Sequence, residues 1–256
     1  MNILFTICGR AGSKGIRNKN IRDFCGYPLV YYSLSAIDLI KRENPAWNMD
    51  IVVNSDSPEL LALVARNPFF SADAIVRDDS LGGDTVAKTA VIDDCLKQME
   101  VRKAKTYDMV VDLDITSPLR TVDDLKKLIE THWATGADVT TSVTDARRNP
   151  YFNMVRKTEH GYQKALSSNY TARQQAPALY DMNASVYAYR PVFLSSGKGV
   201  LDGYCECIHM YDTGILDLDH ENDFELMQVI AAHLYETRPE FAVIKKNIEE
   251  CMSLPR

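Results

Sequence analysis

The chain has 256 residues, 46% of them hydrophobic and 25% charged, and carries a formal net charge of -6 from 29 basic and 35 acidic side chains. A chain of this size buries a substantial core in one large domain, and its composition excludes disordered and fibrous classes. The acidic balance speaks against a broad nucleic-acid-binding face, and no apolar run approaches the roughly 18 residues of a membrane span.

The opening MNILFTICGR lacks the basic start and small-residue cleavage site of a leader peptide, so the chain is expected in the cytosol and residues 2–7 read as a buried strand. A glycine-rich basic loop follows, and Pro28 then opens a helix through Lys41-Arg42. Residues 50–55 are a second strand, and Ser57-Pro58-Glu59 starts a helix over LLALVAR. A short strand over 74–76 precedes a helix from Asp84-Thr85 to about Met99. The next strand is 107–114, and Thr121 with Asp124 forms a capping-box-like start to VDDLKKLIETHW. After a strand over 137–143 the alternation breaks, and aromatic, β-branched residues over 146–190 indicate an antiparallel arm. GILDLD reads as a returning strand, Asn222 to Tyr235 as a helix and FAVI as a final strand.

This order specifies an α/β fold: a doubly wound, mostly parallel, Rossmann-like sheet formed by 1–145 and 191–256. The inserted arm, 146–190, is expected to serve as a substrate lid and a homodimer contact. Its aromatic residues Tyr151, Phe152, Tyr162 and Tyr170 suit a subunit interface as well as a local core. The six cysteines show no paired metal spacing beyond one Cys-Glu-Cys, which reads as reduced thiols. The five histidines neither repeat at ligand spacing nor neighbour a candidate nucleophile, so no hydrolytic triad is supported.

In such a sheet ligands bind at the carboxyl ends of the strands. The first of these ends carries CGRAGSKGIRNKN, with Arg10, Lys14, Arg17, Lys19 and Arg22 gathered around Gly9, Gly12 and Gly15 and no acid before Asp23. The glycine spacing fits neither the Rossmann nor the Walker pattern. Approachable backbone N–H groups, a Ser13 hydroxyl and clustered cations nonetheless favour a polyphosphate over a purely solvated loop. Two Asp-x-Asp pairs, Asp112 with Asp114 and Asp217 with Asp219, would each aim two carboxylates at one point if carried on a strand. Either suits Mg²⁺, although Asp217 and Asp219 could instead cap the following helix.

The stretch RAGSKGIRNKNIRDFCGYPLVYYSL (10–34) resembles the N-terminal signature of the CMP-sialic acid synthetases, or acylneuraminate cytidylyltransferases. The likeness continues through VNSDSPELLALV, VRDDSLGGDT, TSPLRTVDDL, ARQQAP and LDLDHENDFELMQ, in the family's order across most of the chain. The resemblance implies a Mg²⁺-dependent cytidylyltransferase that joins CTP to a 2-keto sugar acid and releases pyrophosphate. It implies nucleotide contacts from Arg10, Gly12, Ser13, Lys14, Lys19 and Asn20, with Arg77 near the nucleoside and Lys19 also serving catalysis. Asp217 and Asp219 match the family's catalytic-metal aspartates. Arg173 would fork onto the sugar carboxylate, with Gln174 and Tyr187 as further substrate contacts.

Several positions depart from the family pattern. Asp78 replaces a proline, and Asp114 stands where many members have Gln, exchanging an amide for an acceptor-only group that binds sugar or holds the Ser117-Pro118 turn. A basic residue at Phe152 and an Arg before Asn183 are missing. These changes point to a related acid, a legionaminate or another nonulosonate. Two rival readings are a GT-A-like glycosyltransferase with its metal on Asp112 and Asp114, and a nucleotide-binding regulatory module without catalysis.

Overall fold

The computed structural model describes residues 1–12, 15–83, 86–214 and 217–253, and for Arg173 the backbone only. In chain order the elements are strand β1 (Asn2–Cys8), a small hairpin of β2 (Asp23–Phe24) and β3 (Tyr27–Pro28), helix α1 (Leu29–Glu43), β4 (Asn48–Ser55), α2 (Pro58–Ala65), β5 (Asp73–Val76), α3 (Lys88–Lys103), β6 (Met109–Leu113) and α4 (Val122–Thr135). There follow β7 (Val139–Asp145), a hairpin of β8 (Val155–Thr158) and β9 (Gly161–Lys164), β10 (Tyr180–Tyr189), the short α5 (Pro191–Leu194), β11 (Cys205–His209), α6 (Glu221–Thr237) and α7 (Pro239–Ser253).

A seven-stranded sheet in the order β11-β7-β10-β6-β1-β4-β5 forms the centre. Its pairings are parallel except those of β10, which runs antiparallel between β6 and β7. The doubly wound, mostly parallel architecture expected from the alternating pattern is therefore present. β1 lies inside the sheet, and Ile3, Leu4, Phe5 and Ile7 are wholly buried, as a near-continuous apolar strand covered on both faces must be. One face packs against α1, α4, α6 and α7 through Ile3, Phe5, Leu34, Leu125, Phe224 and Ile248, and the other against α3 and α5 through Leu4, Ile92, Leu96 and Phe193.

Three expectations need correction. FAVI is no strand: Phe241, Ile244, Ile248 and Cys251 recur at helical spacing and are buried along one face of α7, behind Pro239 in its first turn. Asp217 to Asp219 are irregular rather than extended, and the edge strand lies earlier, at β11, which the sequence reading passed over. Helix α3 begins at Lys88, whereas Asp84 and Thr85, where its start was expected, lie outside the described residues.

The antiparallel segment divides in two. The β8-β9 hairpin stands apart from the main sheet, while β10 is integral to it, pairing Tyr187 with Asp112 on β6 and with Thr141 on β7. A register shift between Met182 and Tyr187 carries Ala184 in the left-handed region at φ 49°. Among the described residues no helix is long and apolar enough to cross a membrane. All six cysteines are unbridged.

Candidate active site

A cleft of about 710 Å³ opens at the carboxyl ends of β1, β5 and β6, where Cys8, Arg77 and Asp114 reach its wall. Arg10, Lys19, Asn20, Lys88, Thr116, Asp217, Asp219 and His220 complete much of the lining. The site thus lies where a doubly wound sheet leaves a crevice, at the ends of its parallel strands.

The loop after β1 is fixed by its backbone and its amides. Gly9 N donates to Asn54 O at 3.1 Å, Ala11 N to Asp56 Oδ1 at 2.6 Å, and Asn20 Nδ2 to Arg10 O at 3.1 Å. Gly12 takes φ 73°, a left-handed conformation that suits glycine. A Cβ at Gly9 would lie 2.6 Å from Leu60 Cδ2 and 2.8 Å from Asn20 Nδ2, so a larger residue here would displace the side chains of α2 and of the loop itself. Ser13 and Lys14 lie outside the described residues.

Lys19 ties this loop to the second carboxylate pair. Its Nζ donates to Leu218 O and lies 3.8 Å from Asp219 Oδ1, while the Lys19 side chain is only 12% exposed. Arg22 turns away from the cleft, pairing with Glu221 and stacking on Phe224 at 4.3 Å, and so anchors α6. Asp217 and Asp219 both face the cleft without the strand that was expected to align them. Neither caps α6: His220 holds the N-cap position, and Asp223 Oδ2 accepts from His220 N at 2.8 Å. Among the described residues no three His, Cys, Asp or Glu side chains converge as a metal cluster. Two open carboxylates still fit a Mg²⁺ ion, which commonly takes one or two protein carboxylates and draws its other ligands from phosphate and water.

The cleft floor holds a charged group that sequence reasoning missed. Lys88, at the first turn of α3, places Nζ 2.7 Å from Asp112 Oδ2 and 2.8 Å from Asp114 Oδ2. Thr6 Oγ1 donates to Asp112 Oδ1 at 2.7 Å, and Asp112 is wholly buried. Burial opposes the Lys88 ammonium, but the Asp112 and Asp114 carboxylates together outweigh it and hold its pKa well above the ordinary lysine value. Asp112 and Asp114 therefore already share a cation and are not an open metal pair. This removes the structural basis of the glycosyltransferase reading.

Behind the floor the guanidinium of Arg120, from the TSPLR segment, is 1% exposed. It donates to the carbonyls of Asp114 and Ser117 and to Ser33 Oγ at 2.9 Å, fixing the chain as it leaves β6. Burial lowers its pKa to about 10, which keeps it cationic at neutral pH. Cys8 is the thiol at the cleft wall, and its hydrogen bond with Cys95, together with burial, raises its pKa well above the usual thiol range. It stays protonated and is no nucleophile.

Arg77 lines the cleft, with Nε 2.7 Å from Asn54 Oδ1 and Nη2 3.3 Å from Asn54 O. Asp78 caps the 3-10 turn over Asp79–Leu81, accepting from Ser80 N at 2.9 Å, so the turn forms without the family's proline. Tyr187 sits on β10 beside the floor, stacked on Tyr189 at 6.0 Å, but is not among the lining residues. Burial raises its pKa. Gln174 is exposed on the turn Arg173–Gln175, away from the cleft lining.

The signal that could have revealed Lys88 lies in spacing. It begins a helix 24 positions before Asp112, and in a parallel α/β unit the start of a crossover helix lies near the carboxyl end of the sheet. Nothing local in the sequence marks the partnership.

Comparison with known proteins agrees with this architecture. A family model described as cytidylyltransferase matches residues 4–236. Post-translational flagellin modification protein B of Campylobacter coli is 34% identical over 231 residues, covering 89% of this chain and 94% of that protein. CMP-N,N'-diacetyllegionaminic acid synthase of Campylobacter jejuni subsp. jejuni is 33% identical over 229 residues, with 89% and 94% covered. A solved structure of CMP:2-keto-3-deoxy-manno-octonic acid synthetase complexed with CTP superposes with a TM-score of 0.64 at 15% identity, covering 91% of this chain and 99% of that one, a likeness of fold. With its basic loop, its cleft at the strand ends and a match spanning most of its length, the chain belongs to the cytidylyltransferase family and is a nucleotidyltransferase.

Proposed function

We propose that this protein activates a nonulosonic acid, a nine-carbon 2-keto sugar acid of the legionaminate type, by joining it to the CMP moiety of CTP with release of pyrophosphate. The observation that carries the reading is the convergence of Arg10, Lys19 and Asn20 with Asp217 and Asp219 around one cleft at the carboxyl end of β1. The relatives named for flagellin modification and for CMP-N,N'-diacetyllegionaminic acid synthesis support the substrate class.

In this reading the triphosphate lies along the loop after β1. Lys19 and Arg10 balance its charge, and Lys14 and Ser13 extend the same anion site. Arg77, held by Asn54, orients the nucleoside. The anomeric hydroxyl of the sugar acid attacks the α-phosphorus in line: a new phosphorus–oxygen bond forms, the bond to pyrophosphate breaks, and the hydroxyl proton is lost to solvent. Fixed cations act where negative charge accumulates on the departing pyrophosphate, so no covalent enzyme intermediate is required. Asp217 and Asp219 would hold Mg²⁺, which supplies charge neutralisation at the phosphate oxygens when bound. Arg173, Gln174 and Tyr187 would complete the sugar end, with movement of the 146–179 segment bringing Gln174 toward the cleft. The same segment would form the contact of a homodimer in the cytoplasm.

The test is pyrophosphate release from CTP with N,N'-diacetyllegionaminic, pseudaminic and N-acetylneuraminic acids, with Mg²⁺ and after chelation. Release is expected with at least one acid and only when the metal is present. Asp219→Asn should lower the rate roughly 100-fold or more while the circular dichroism spectrum stays unchanged. Silence with every acid in the panel would refute the assignment, and full activity of the variant would place the metal elsewhere.

A further inference from the structure

The seam between the loop after β1 and the aspartate segment holds a charge with two claims on it. The Lys19 side chain runs into this seam, where its Nζ donates to Leu218 O and lies 3.8 Å from Asp219 Oδ1. The segment itself is firmly placed. Leu218 buries its side chain completely in the core and its N donates to Asp217 Oδ1 at 2.8 Å, while Asp219 N donates to Asp223 Oδ2 at 3.2 Å. Arg22, three residues beyond Lys19, pairs with Glu221 and closes the far end of the seam. The Asp219 carboxylate is 66% exposed and paired with Lys19, whereas the lysine is nearly covered. An ammonium beside a carboxylate weakens the pull of that carboxylate on a dication, and the carboxylate in turn weakens the pull of the ammonium on phosphate. Lys19 therefore cannot serve Asp219 and a triphosphate at full strength together.

We propose that Lys19 is an exchangeable counter-ion: paired with Asp219 it lowers the affinity of the aspartate pair for a divalent cation, and drawn to a triphosphate it restores that affinity. Nucleotide and dication then load the cleft cooperatively through one side chain. This inference rests on the nucleotide and metal assignments above and adds a coupling between them. A lysine suits the exchange, since its flexible four-carbon stem lets three donors turn from the Leu218 carbonyl and Asp219 to a phosphate oxygen while the backbone of loop and segment stays in place. The coupling is reciprocal, so the factor by which nucleotide raises affinity for the dication through Lys19 is also the factor by which the dication raises affinity for nucleotide.

The experiment uses equilibrium binding to the full chain, with no turnover and no sugar acid. Mn²⁺, standing in for Mg²⁺, is titrated by electron paramagnetic resonance without nucleotide into wild type, Lys19→Gln and Lys19→Met. The Gln amide still donates to the Leu218 carbonyl and Met does not, so the first variant removes charge alone and the second covers a failure of the first to fold. Loss of the ammonium should tighten Mn²⁺ binding about 5-fold, as expected for unit charges about 4 Å apart near a protein surface. CTP is titrated by calorimetry in excess EDTA into wild type, Asp219→Asn, the folded Lys19 variant and the corresponding double variant. Direct repulsion between Asp219 and phosphate is common to both backgrounds, so the ratio of the two gains isolates the competition for Lys19. The gain in CTP affinity from Asp219→Asn should be about 5-fold larger with Lys19 present than without it. Mn²⁺ binding that is unchanged or weaker in the Lys19 variant, or equal gains from Asp219→Asn in both backgrounds, overturns the exchange and leaves the two assignments standing. If no protein binds Mn²⁺, or wild type binds no CTP, the corresponding assignment falls and the exchange with it.

Discussion

Gly15 is exposed, yet it has no room for a side chain: a Cβ there would lie 1.8 Å from the carbonyl oxygen of Asp219. The loop after β1 and the segment bearing the aspartates therefore touch main chain to main chain, and Lys19 reinforces the contact from within. Gly15→Ala should push the two segments apart, reducing pyrophosphate release about 10-fold or more and lowering thermal stability, because backbone rather than a flexible side chain must move. Normal kinetics in this variant would show that the closeness is dispensable. Lys19→Ala should raise KM for CTP roughly 10-fold, since a part-buried ammonium is lost from a polyanion site, and an unchanged KM would remove Lys19 from nucleotide binding. At this scale the sequence is most informative where function is local. The cations of the loop, Arg77 and the later aspartate pair are legible from composition and resemblance, and the structure brings Arg10, Lys19, Asn20, Arg77, Asp217 and Asp219 to one cleft. Lys88 is not legible, because its partners lie across the sheet and nothing in its own neighbourhood distinguishes it from a solvated helix lysine.

Helix α4 shows how an element boundary is written. Thr121 Oγ1 accepts from Asp124 N at 3.1 Å, and Thr121 N donates back to Asp124 Oδ2 at 2.8 Å, the reciprocal capping box that the residue pattern predicts. Thr121 is 8% exposed and follows directly on Arg120, so the cap also ends the turn beneath Asp114. Thr121→Ala should cost about 1 kcal/mol of folding stability, measurable by urea denaturation, with kcat nearly unchanged. A drop in kcat without loss of stability would mean that the cap acts on the site directly. Helix α7 shows the opposite case. FAVI alone is a four-residue apolar run that fits either period, and only its continuation to Ile248 and Cys251 reveals the helical face. The aspartate segment fails for a different reason: alternation in LDLD looks like a strand, but β11 already occupies that edge of the sheet.

Across the whole molecule the charges are arranged so that few are buried alone, and His132 is an informative exception. It is 3% exposed near the end of α4, with Nδ1 3.0 Å from Thr140 Oγ1, and burial followed by the nearby Arg190 lowers its pKa to about 4. The folded protein keeps this ring neutral while the unfolded chain, titrating near 6.5, takes up a proton first. Stability is thus unaffected by His132 above about pH 6.5 and declines as pH falls from there toward 4, by a total on the order of 3 kcal/mol. Urea midpoints at pH 7.5 and 5 should differ more for wild type than for His132→Asn, whose amide can keep the bond to Thr140. Equal differences would show that another group governs acid lability. The doubly wound fold was legible at this scale because strands and helices alternate with clear periods up to Val143, whereas the entry of β10 into the sheet was hidden by the aromatic segment that precedes it.

The direction of β10 has one further consequence. Tyr180 pairs with Asp145, so the polypeptide departs from the sheet and rejoins it at neighbouring points on a single rim, with residues 146–179 looping out between them. A detour whose two feet are adjacent can be exchanged for one of another length without disturbing the strands beneath. Transplanting that loop between homologues should accordingly leave the central sheet intact, which circular dichroism and urea denaturation of the chimaera would show.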